Sequence, residues 1–180
     1  MRRVLLLRHC ESTGPASDAP LTPVGHAQAA ALVATLAPLG IDHIVSSPFA
    51  RAVESIAPFA RAAGLDVDVD GRLAERRVAA APVADIGDEV RRAFDDVDHR
   101  LPGGESAREA QARGCAVVDE LLASPHRAPV AVTHGQLLAL LLPAVDGRFG
   151  FVEWRALASP DVFVIEDDGA GRRHRRLERN

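Results

Sequence analysis

The sequence predicts an α/β protein in which a mostly parallel sheet carries helices on both faces. Apolar segments of strand length alternate along the chain with segments of helix length. The first strand segment, residues 3–7, is rich in leucine and has no polar residue after Arg3, which is typical of a strand buried on both faces. With 180 residues, 47% of them hydrophobic, the chain suffices for one well-buried core, so we expect residues 1–180 to form a single domain.

The first half of the chain is predicted to contain three strands and two helices. The strands span residues 3–7, 41–46 and 65–69, and the helices follow the first and the second strand. Each helix begins with a hydroxyl residue followed by proline and ends at a glycine. These signals are Thr22-Pro23 and Gly40 for the first helix, and Ser47-Pro48 and Gly64 for the second.

The second half of the chain is less regular at first. Beyond residue 75 the pattern weakens, and we expect residues 76–104 to form a small cap-like excursion over one end of the sheet. A long helix over about 105–123 precedes a fourth strand over 129–133, after which an apolar helix runs to about 142. Two weaker strands are predicted near 151–157 and 161–166.

Residue types that bind ligands stand where three of the predicted strands end. They are Arg8 and His9, Ser46 and Ser47, and His134 and Gly135. Ligands of open α/β sheets bind beyond the carboxyl ends of the strands. We therefore expect these residues, which are far apart in sequence, to converge on one site.

Composition excludes several classes of function. The chain has no lysine and no tyrosine, which excludes a P-loop lysine, a Schiff-base lysine and a tyrosine nucleophile. Two cysteines are too few for a disulfide framework, and the four apolar residues between Arg3 and Arg8 are too short for a secretory signal. No apolar run approaches the ~20 residues needed to cross a bilayer. We expect a cytoplasmic protein that does not bind a membrane; its oligomeric state stays open.

Charge gives no general reason to expect a polyanionic partner. The net charge is −4, and acidic and basic residues are interspersed through most of the chain. The run of arginines over residues 172–176 resembles a nucleic-acid-binding arm, but it lacks interleaved aromatic residues. We expect this tail to be a solvated final strand or a frayed terminus, and no nucleic acid as partner.

The residues at the strand ends, with two others, fit the requirements of phosphoryl transfer. That reaction needs an in-line nucleophile, cations around the phosphate oxygens and a proton donor for the leaving group. Neutral imidazole is nucleophilic near pH 7, which suits His9. Arg8 and Arg51 offer planar cations for phosphate, and His134 would add a third if it is protonated. Glu75, beside the irregular segment, is placed to protonate the leaving group.

Six short motifs make the sequence resemble the histidine phosphatase superfamily, also called the phosphoglycerate mutase-like family. They occur in the order of the family between residue 4 and about residue 142. The motifs are Leu7-Arg8-His9-x-Glu11-Ser12, Leu21-Thr22-x-x-Gly25-x-x-Gln28-Ala29, Ser46-Ser47-Pro48-x-x-Arg51-Ala52-x-Glu54, Leu73-x-Glu75, Gly103-Gly104-Glu105-Ser106 and Thr133-His134-Gly135.

The resemblance implies a three-layer α/β/α sandwich and a phosphoric monoester hydrolase of the histidine acid phosphatase type. It implies that His9 becomes phosphorylated, that Arg8, Arg51 and His134 bind the phosphate, and that Glu75 donates a proton. It implies a phosphorylated small molecule as substrate. It implies neither a metal nor a cofactor. His9, Cys10 and His134 would make only a partial zinc site.

The sequence departs from the family at Cys10, where glycine usually follows the nucleophile. A side chain there would narrow the approach to phosphate, and a thiol in this position could make the enzyme sensitive to oxidation. Cys10 does not fit the loop of tyrosine phosphatases, because the arginine position of that loop falls on Ala16.

Three functions remain open from the sequence. The chain is short and has little sequence for a lid, which favours a phosphatase that admits water to the phosphohistidine. The alternatives are phosphotransfer of the phosphoglycerate mutase or protein-phosphohistidine type, and a non-catalytic module that binds phosphorylated ligands. The physiological substrate cannot be predicted, although the arginines within residues 76–103 could recognise a second anionic group.

Overall fold

The computed structural model describes residues 1–147 and 149–178. These residues form six strands and six α-helices. The strands are Arg2–Arg8 (β1), His43–Ser46 (β2), Asp68–Val69 (β3), Pro129–Thr133 (β4), Asp161–Asp167 (β5) and Arg172–Arg176 (β6). The helices are Pro23–Leu36 (α1), Ala50–Ala63 (α2), Ile86–Asp95 (α3), Ala107–Ala123 (α4), Gly135–Asp146 (α5) and Phe151–Arg155 (α6). Short 3₁₀-helices span Ala37–Leu39 and Gly71–Leu73.

All six strands belong to one sheet, in the order β3-β2-β4-β1-β5-β6. The first four strands of the chain are parallel to one another, and β5 and β6 are antiparallel additions at one side. The register pairs Arg8 with Thr133, and Ser46 with Val132, so β1, β2 and β4 end at the same edge. The predicted α/β fold with a mostly parallel sheet is confirmed.

Each face of the sheet buries a separate apolar layer. Side chains of β1 alternate between the two layers: Leu5 and Leu7 pack toward α1 and α2, whereas Val4 and Leu6 pack toward α4 and α5. Because β1 lies in the interior of the sheet, both of its faces are covered and the strand is apolar throughout. This arrangement gives the three layers that the resemblance implies.

The structure differs from the sequence prediction at the start of α2. This helix begins at Ala50 and not directly after Ser47-Pro48. The hydroxyl of Ser47 accepts a weak hydrogen bond from the N–H of Phe49 at 3.3 Å and also bonds His134 at 2.7 Å. The hydroxyl-proline pair therefore ends β2 and shapes a turn instead of capping the helix.

Two helices were not predicted. The segment near 151–157, predicted as a strand, contains α6, in which Phe151 stacks on Trp154 and the carboxylate of Glu153 accepts from the N–H of Gly150. Within the excursion, α3 is capped by Asp85 and buries Val90 and Ala93. α6 spans only five residues, which is too short for a helical pattern. The apolar residues of α3 are spaced as in an amphipathic helix, but they are few and lie between irregular segments, so this helix was missed.

The arginine-rich tail forms β6, an edge strand paired with β5. Its arginines make ion pairs with acidic residues of neighbouring elements. The pairs are Arg172 with Asp119 and Asp167, Arg173 with Glu166 and Asp168, Arg175 with Glu166, and Arg176 with Asp161. These pairs offset the charge of the tail. In the described part of the chain, no helix is both long and apolar enough to cross a membrane.

Candidate active site

His9 lies directly after β1, and its ring is fixed by two hydrogen bonds. Nδ1 lies 2.6 Å from the carbonyl oxygen of Cys10, and Nε2 lies 3.2 Å from Nε of Arg51. A carbonyl oxygen only accepts hydrogen bonds, and an arginine N–H only donates them. The hydrogen-bond network therefore assigns the proton to Nδ1 and the lone pair to Nε2. Nε2 is the atom that can attack phosphorus.

The surroundings of His9 keep its ring neutral. Burial is the largest cause of a shift that lowers the pKa of His9 from 6.5 to about 4. The hydrogen bond to the carbonyl of Cys10 opposes this shift, whereas the positive charges of Arg51 and Arg8 reinforce it. At pH 7 the imidazole is thus in its nucleophilic form.

Arg51 is the second residue of α2 and is 3% exposed. Besides donating to His9, it donates from Nη1 to the carbonyl oxygens of Pro15 and Ala16, at 3.2 and 2.7 Å. Its guanidinium also lies 4.8 Å from the centroid of the Phe49 ring. These contacts hold a permanent positive charge beside the nucleophilic nitrogen.

His134 lies directly after β4 and is fully buried. Its ring centroid is 5.0 Å from that of His9, and its Nε2 lies 2.7 Å from the hydroxyl oxygen of Ser47. Nδ1 is buried without a hydrogen-bond partner among the described residues. Burial, followed by the charges of His9 and Arg51, lowers the pKa of His134 well below its usual value, so the ring is neutral when no anion is bound.

Glu75 follows the 3₁₀-helix Gly71–Leu73, and its carboxyl group is enclosed although the residue as a whole is partly exposed. The carboxylate accepts from the N–H groups of Gln136 and Leu137, at 3.0 and 2.9 Å, in the first turn of α5. It also accepts from the N–H of Arg76 at 2.9 Å. Burial raises the pKa of Glu75, and these three hydrogen bonds oppose the shift in part. A raised pKa favours a group that exchanges protons near neutral pH.

Arg8 extends from the end of β1 beneath the first residue of α5. Its Nη1 donates to the carbonyl oxygens of Leu157 and Ala158, both at 3.0 Å. A Cβ atom on Gly135 would lie 3.2 Å from the guanidinium carbon of Arg8, closer than most side-chain contacts. Glycine at this position therefore lets Arg8 pass close to the main chain of α5.

A cavity of about 840 Å³ opens above these residues. His9, Arg51 and Glu75 line it, whereas His134 lies behind His9 and Arg8 lines an adjacent cavity of about 520 Å³. The far wall of the large cavity comes from residues 76–86. The structure thus gathers the five predicted residues at one end of the sheet, with three of them facing one cavity.

Cys10 does not narrow the site as the sequence suggested. Its side chain is fully buried among apolar residues of the layer formed with α1 and α2. Within the described residues, no position other than glycine has a positive φ, so cysteine fits here without backbone strain. Burial raises the pKa of Cys10 to about 11, which makes the thiol unreactive.

The structure offers no site for a metal ion in the part of the chain that it describes. No group of three or more His, Cys, Asp or Glu side chains there is arranged to hold one. His9, Cys10 and His134, the partial ligand set considered from the sequence, do not form such a group. The positive charges at the site belong to arginine.

Two residues support the site from outside the cavity. Ser47 was predicted to lie at the site, as a strand-end residue, and also to cap a helix; its hydroxyl contacts His134 instead of capping α2. Ser55, in α2, accepts from the N–H of Cys10 at 2.8 Å and donates to the carbonyl of Arg51 at 2.6 Å, joining the two sides of the site. A serine inside a helix carries no sequence signal for such a role.

The motif around Thr22 and Gly25 supports the loop that follows His9. The hydroxyl of Thr22 donates to the carboxylate of Glu11 at 2.7 Å, and the amide oxygen of Gln28 accepts from the N–H of Glu11 at 2.9 Å. A Cβ atom on Gly25 would lie 2.0 Å from the carbonyl oxygen of Glu11, which leaves room only for glycine. These residues position the loop and do not face the cavity.

Comparison with known proteins agrees with this arrangement. The family model described as "Histidine phosphatase superfamily (branch 1)" matches residues 4–177. A probable phosphoglycerate mutase GpmB of Salmonella paratyphi B is 32% identical over 171 residues, which cover 86% of this chain and 80% of the relative.

Solved structures share the fold over the whole chain. A mycobacterial glucosyl-3-phosphoglycerate phosphatase in complex with inorganic phosphate is 27% identical and superposes with a TM-score of 0.77, covering 100% of this chain and 97% of the other. A putative alpha-ribazole-5'-P phosphatase from Escherichia coli has a TM-score of 0.78 at 21% identity, covering 99% and 96% of the two chains, which indicates the fold alone. The chain therefore belongs to the histidine phosphatase superfamily, whose relatives are named as phosphatases or mutases.

Proposed function

We propose that the protein is a metal-independent phosphatase that hydrolyses phosphate monoesters through a phosphohistidine on His9. One observation carries this proposal: Nδ1 of a neutral His9 donates to a carbonyl, which leaves the lone pair on Nε2 beside the guanidinium of Arg51. A nucleophile and a cation for the phosphate oxygens then face the same cavity.

In the first step, Nε2 of His9 forms a bond to phosphorus while the bond from phosphorus to the leaving oxygen breaks. Arg51, Arg8 and His134 would stabilise the charge on the nonbridging oxygens. The negative charge of a bound phosphate favours a proton on His134, so its pKa rises when substrate binds. Glu75, with its raised pKa, gives its proton to the leaving oxygen.

In the second step, water attacks the phosphorus atom and the bond to Nε2 breaks. The carboxylate of Glu75 takes the proton of the attacking water, which restores both His9 and Glu75. Solvent can enter the cavity that His9 lines, because Ala81, Pro82 and Ile86 in its far wall are exposed. An accessible phosphohistidine favours hydrolysis over transfer to a second substrate.

Phosphotransfer of the mutase type is the second candidate, since a relative 32% identical is named a probable phosphoglycerate mutase. The two functions differ in their products. Incubation with 3-phosphoglycerate would yield free phosphate from a phosphatase and an isomerised ester from a mutase. We expect no isomerisation of 3-phosphoglycerate, and release of free phosphate from this or another phosphate monoester.

The test of the proposal is the covalent intermediate. We expect an acid-labile, base-stable phosphoryl group on His9 after rapid denaturation of the enzyme during turnover of 4-nitrophenyl phosphate. His9→Ala should lose the adduct and at least about 10⁴-fold of turnover. Chelation of divalent metals should leave the rate unchanged. Full turnover by His9→Ala would refute the nucleophile, and tight phosphate binding without turnover of any ester would identify a binding module.

A further inference from the structure

Arg76 is a buried cation in the wall of the catalytic cavity, and it is 4% exposed. Its Nε donates to the carbonyl oxygen of Glu105 at 3.2 Å. Its Nη1 is buried and has no hydrogen-bond partner within residues 1–147 and 149–178. Unpaired buried donors are rare in proteins because they lose their hydration without compensation. Arg76 lines the cavity, so its guanidinium is a buried cation whose donors are not all used by the described residues.

The acidic residues around Arg76 do not accept a hydrogen bond from its Nη1. Glu105, Glu75 and Glu89 attract Arg76 electrostatically, but the carboxylate of each has other hydrogen-bond partners. The partners are Arg113 for Glu105, Arg92 and His99 for Glu89, and the N–H groups of residues 136 and 137 for Glu75. The neighbouring carboxylates therefore hold the charge of Arg76 in place without using Nη1.

The position of Arg76 is set by the main chain on both sides. The N–H of Glu105 donates to the carbonyl of Arg77 at 2.8 Å, so the two segments are tied together. Glu75, the proposed proton donor for the leaving group, precedes Arg76 in the chain and attracts its charge electrostatically. Arg76 therefore lies on the part of the cavity where the leaving group must sit.

The remaining wall of this part of the cavity is mostly apolar. Its side chains include Phe49, Val78, Pro82, Val83 and Ile86. Apart from His9, the uncharged polar side chains that line the cavity are few, namely Ser12 and Gln136. A leaving group with many hydroxyls would lose its water here and find few hydrogen-bond partners.

We infer that the substrate's leaving group combines an apolar body with an anionic group, and that the guanidinium of Arg76 binds this anionic group. Arg76 is then a specificity-determining residue, separate from the groups that hold the transferred phosphate. The inference rests on the proposed phosphatase function, because it assigns the leaving-group side from the role of Glu75.

The first experiment compares two isosteric esters, 4-carboxyphenyl phosphate and its neutral amide, 4-carbamoylphenyl phosphate. The ratio of their kcat/KM values is measured in the wild type and in variants, so that differences in leaving-group chemistry cancel. Arg76→Gln should lower the ratio about 10- to 100-fold, the range expected for a charge-assisted hydrogen bond. Arg76→Lys, which keeps the charge, should lower it less.

Arg77→Gln is the matched control, because Arg77 lines the same cavity but is exposed. Its charge is screened by water, so the ratio should change less than about three-fold. An equal fall in Arg77→Gln would show a general effect of charge and overturn the role of Arg76. If Arg76→Gln does not fold, Arg76→Met, which keeps the apolar stem but removes the charge, takes its place, and an unchanged ratio in that variant overturns the role of Arg76 as well.

The outcomes separate the inference from the function on which it rests. An unchanged ratio in Arg76→Gln, with both esters still hydrolysed, would mean that Arg76 is merely structural and would leave the phosphatase function intact. Failure of the wild type to hydrolyse either ester would refute the phosphatase function, and the inference with it.

A second experiment tests the apolar body. It compares 6-phosphogluconate with 6-(phosphonooxy)hexanoate, which has the same chain length and carboxylate but lacks the four hydroxyls. Both are alkyl esters, so their need for protonation by Glu75 is similar. We expect kcat/KM to be at least about ten-fold higher for the hexanoate ester. Preference for the polyhydroxylated ester would overturn this half of the inference.

Discussion

The floor and the wall of the catalytic cavity are built in different ways. The floor consists of His9 and Arg51, with His134 behind His9. All three residues are at least nine-tenths buried and lie at or near the ends of neighbouring parallel strands. The wall consists of residues 76–86, several of which are exposed, in a segment with little regular structure. The sheet therefore fixes the groups proposed for catalysis, whereas the wall can vary and set specificity.

Glu75 stands where the floor meets the wall, and its substitution should have the largest effect among the following tests. Glu75→Gln removes the proton donor but can still accept hydrogen bonds from the first turn of α5. We expect kcat for an alkyl phosphate to fall about 10²- to 10⁴-fold. For an aryl phosphate, whose leaving group needs little protonation, the fall should stay within about ten-fold. Equal losses on both esters would contradict the role of Glu75 as an acid.

Burial of His9 in the floor should make the folded protein less stable at low pH. Because the pKa of His9 is about 4 in the folded protein and 6.5 ordinarily, the unfolded chain binds more protons between these values. Stability should therefore fall as the pH drops from 6.5 to 4, by roughly 3 kcal/mol from His9 alone. Denaturant unfolding of wild type and His9→Gln at pH 7 and pH 4 would measure this difference.

The same titration predicts the acid limb of activity. Protonated His9 has no lone pair for attack, so kcat/KM should fall only below about pH 4. The stability experiment tests the same assumption. If the free energy of unfolding of the wild type and of His9→Gln changed equally with pH, the ring of His9 would not be buried and neutral in the folded protein.

Loss of the contact between Ser47 and His134 should have a smaller effect on activity. Ser47→Ala removes the hydroxyl that contacts Nε2 of His134, and we expect kcat/KM to fall about two- to ten-fold, the range for one neutral hydrogen bond. Ser46→Ala is the control, since the hydroxyl of the equally buried Ser46 bonds the carbonyl of Ser47 instead. A larger loss in Ser46→Ala would mean that packing, and not the contact with His134, matters.

The contrast between floor and wall also explains which parts of the structure can be predicted from the sequence. Residues at the ends of β1, β2 and β4 are predicted to lie together from the sequence alone, because parallel strands present their carboxyl ends at one edge. The fold class follows from the same alternation of strands and helices. In these regions local pattern and tertiary structure agree.

Other regions depend on contacts that no local pattern records. α6 was predicted as a strand because Phe151 and Val152 favour β structure, whereas stacking of Phe151 on Trp154 and the cap by Glu153 produce a helical turn. The unpaired Nη1 of Arg76 depends on where the segment around Glu105 packs. Such features arise from tertiary packing between segments that are distant in sequence.

Substitution of Cys10 should change activity least, because this residue follows His9 in the chain yet lies on the buried side of the floor. Its thiol packs in the apolar layer and has a pKa raised to about 11, so it should resist both alkylation and oxidation in the folded protein. We expect Cys10→Ala to keep kcat/KM within about two-fold and to lose about 1 kcal/mol of stability from the smaller side chain. Mass spectrometry after treatment with iodoacetamide should show faster labelling of the partly exposed Cys115. Rapid labelling of Cys10 with loss of activity would instead place the thiol at the phosphate site, as the sequence alone suggests.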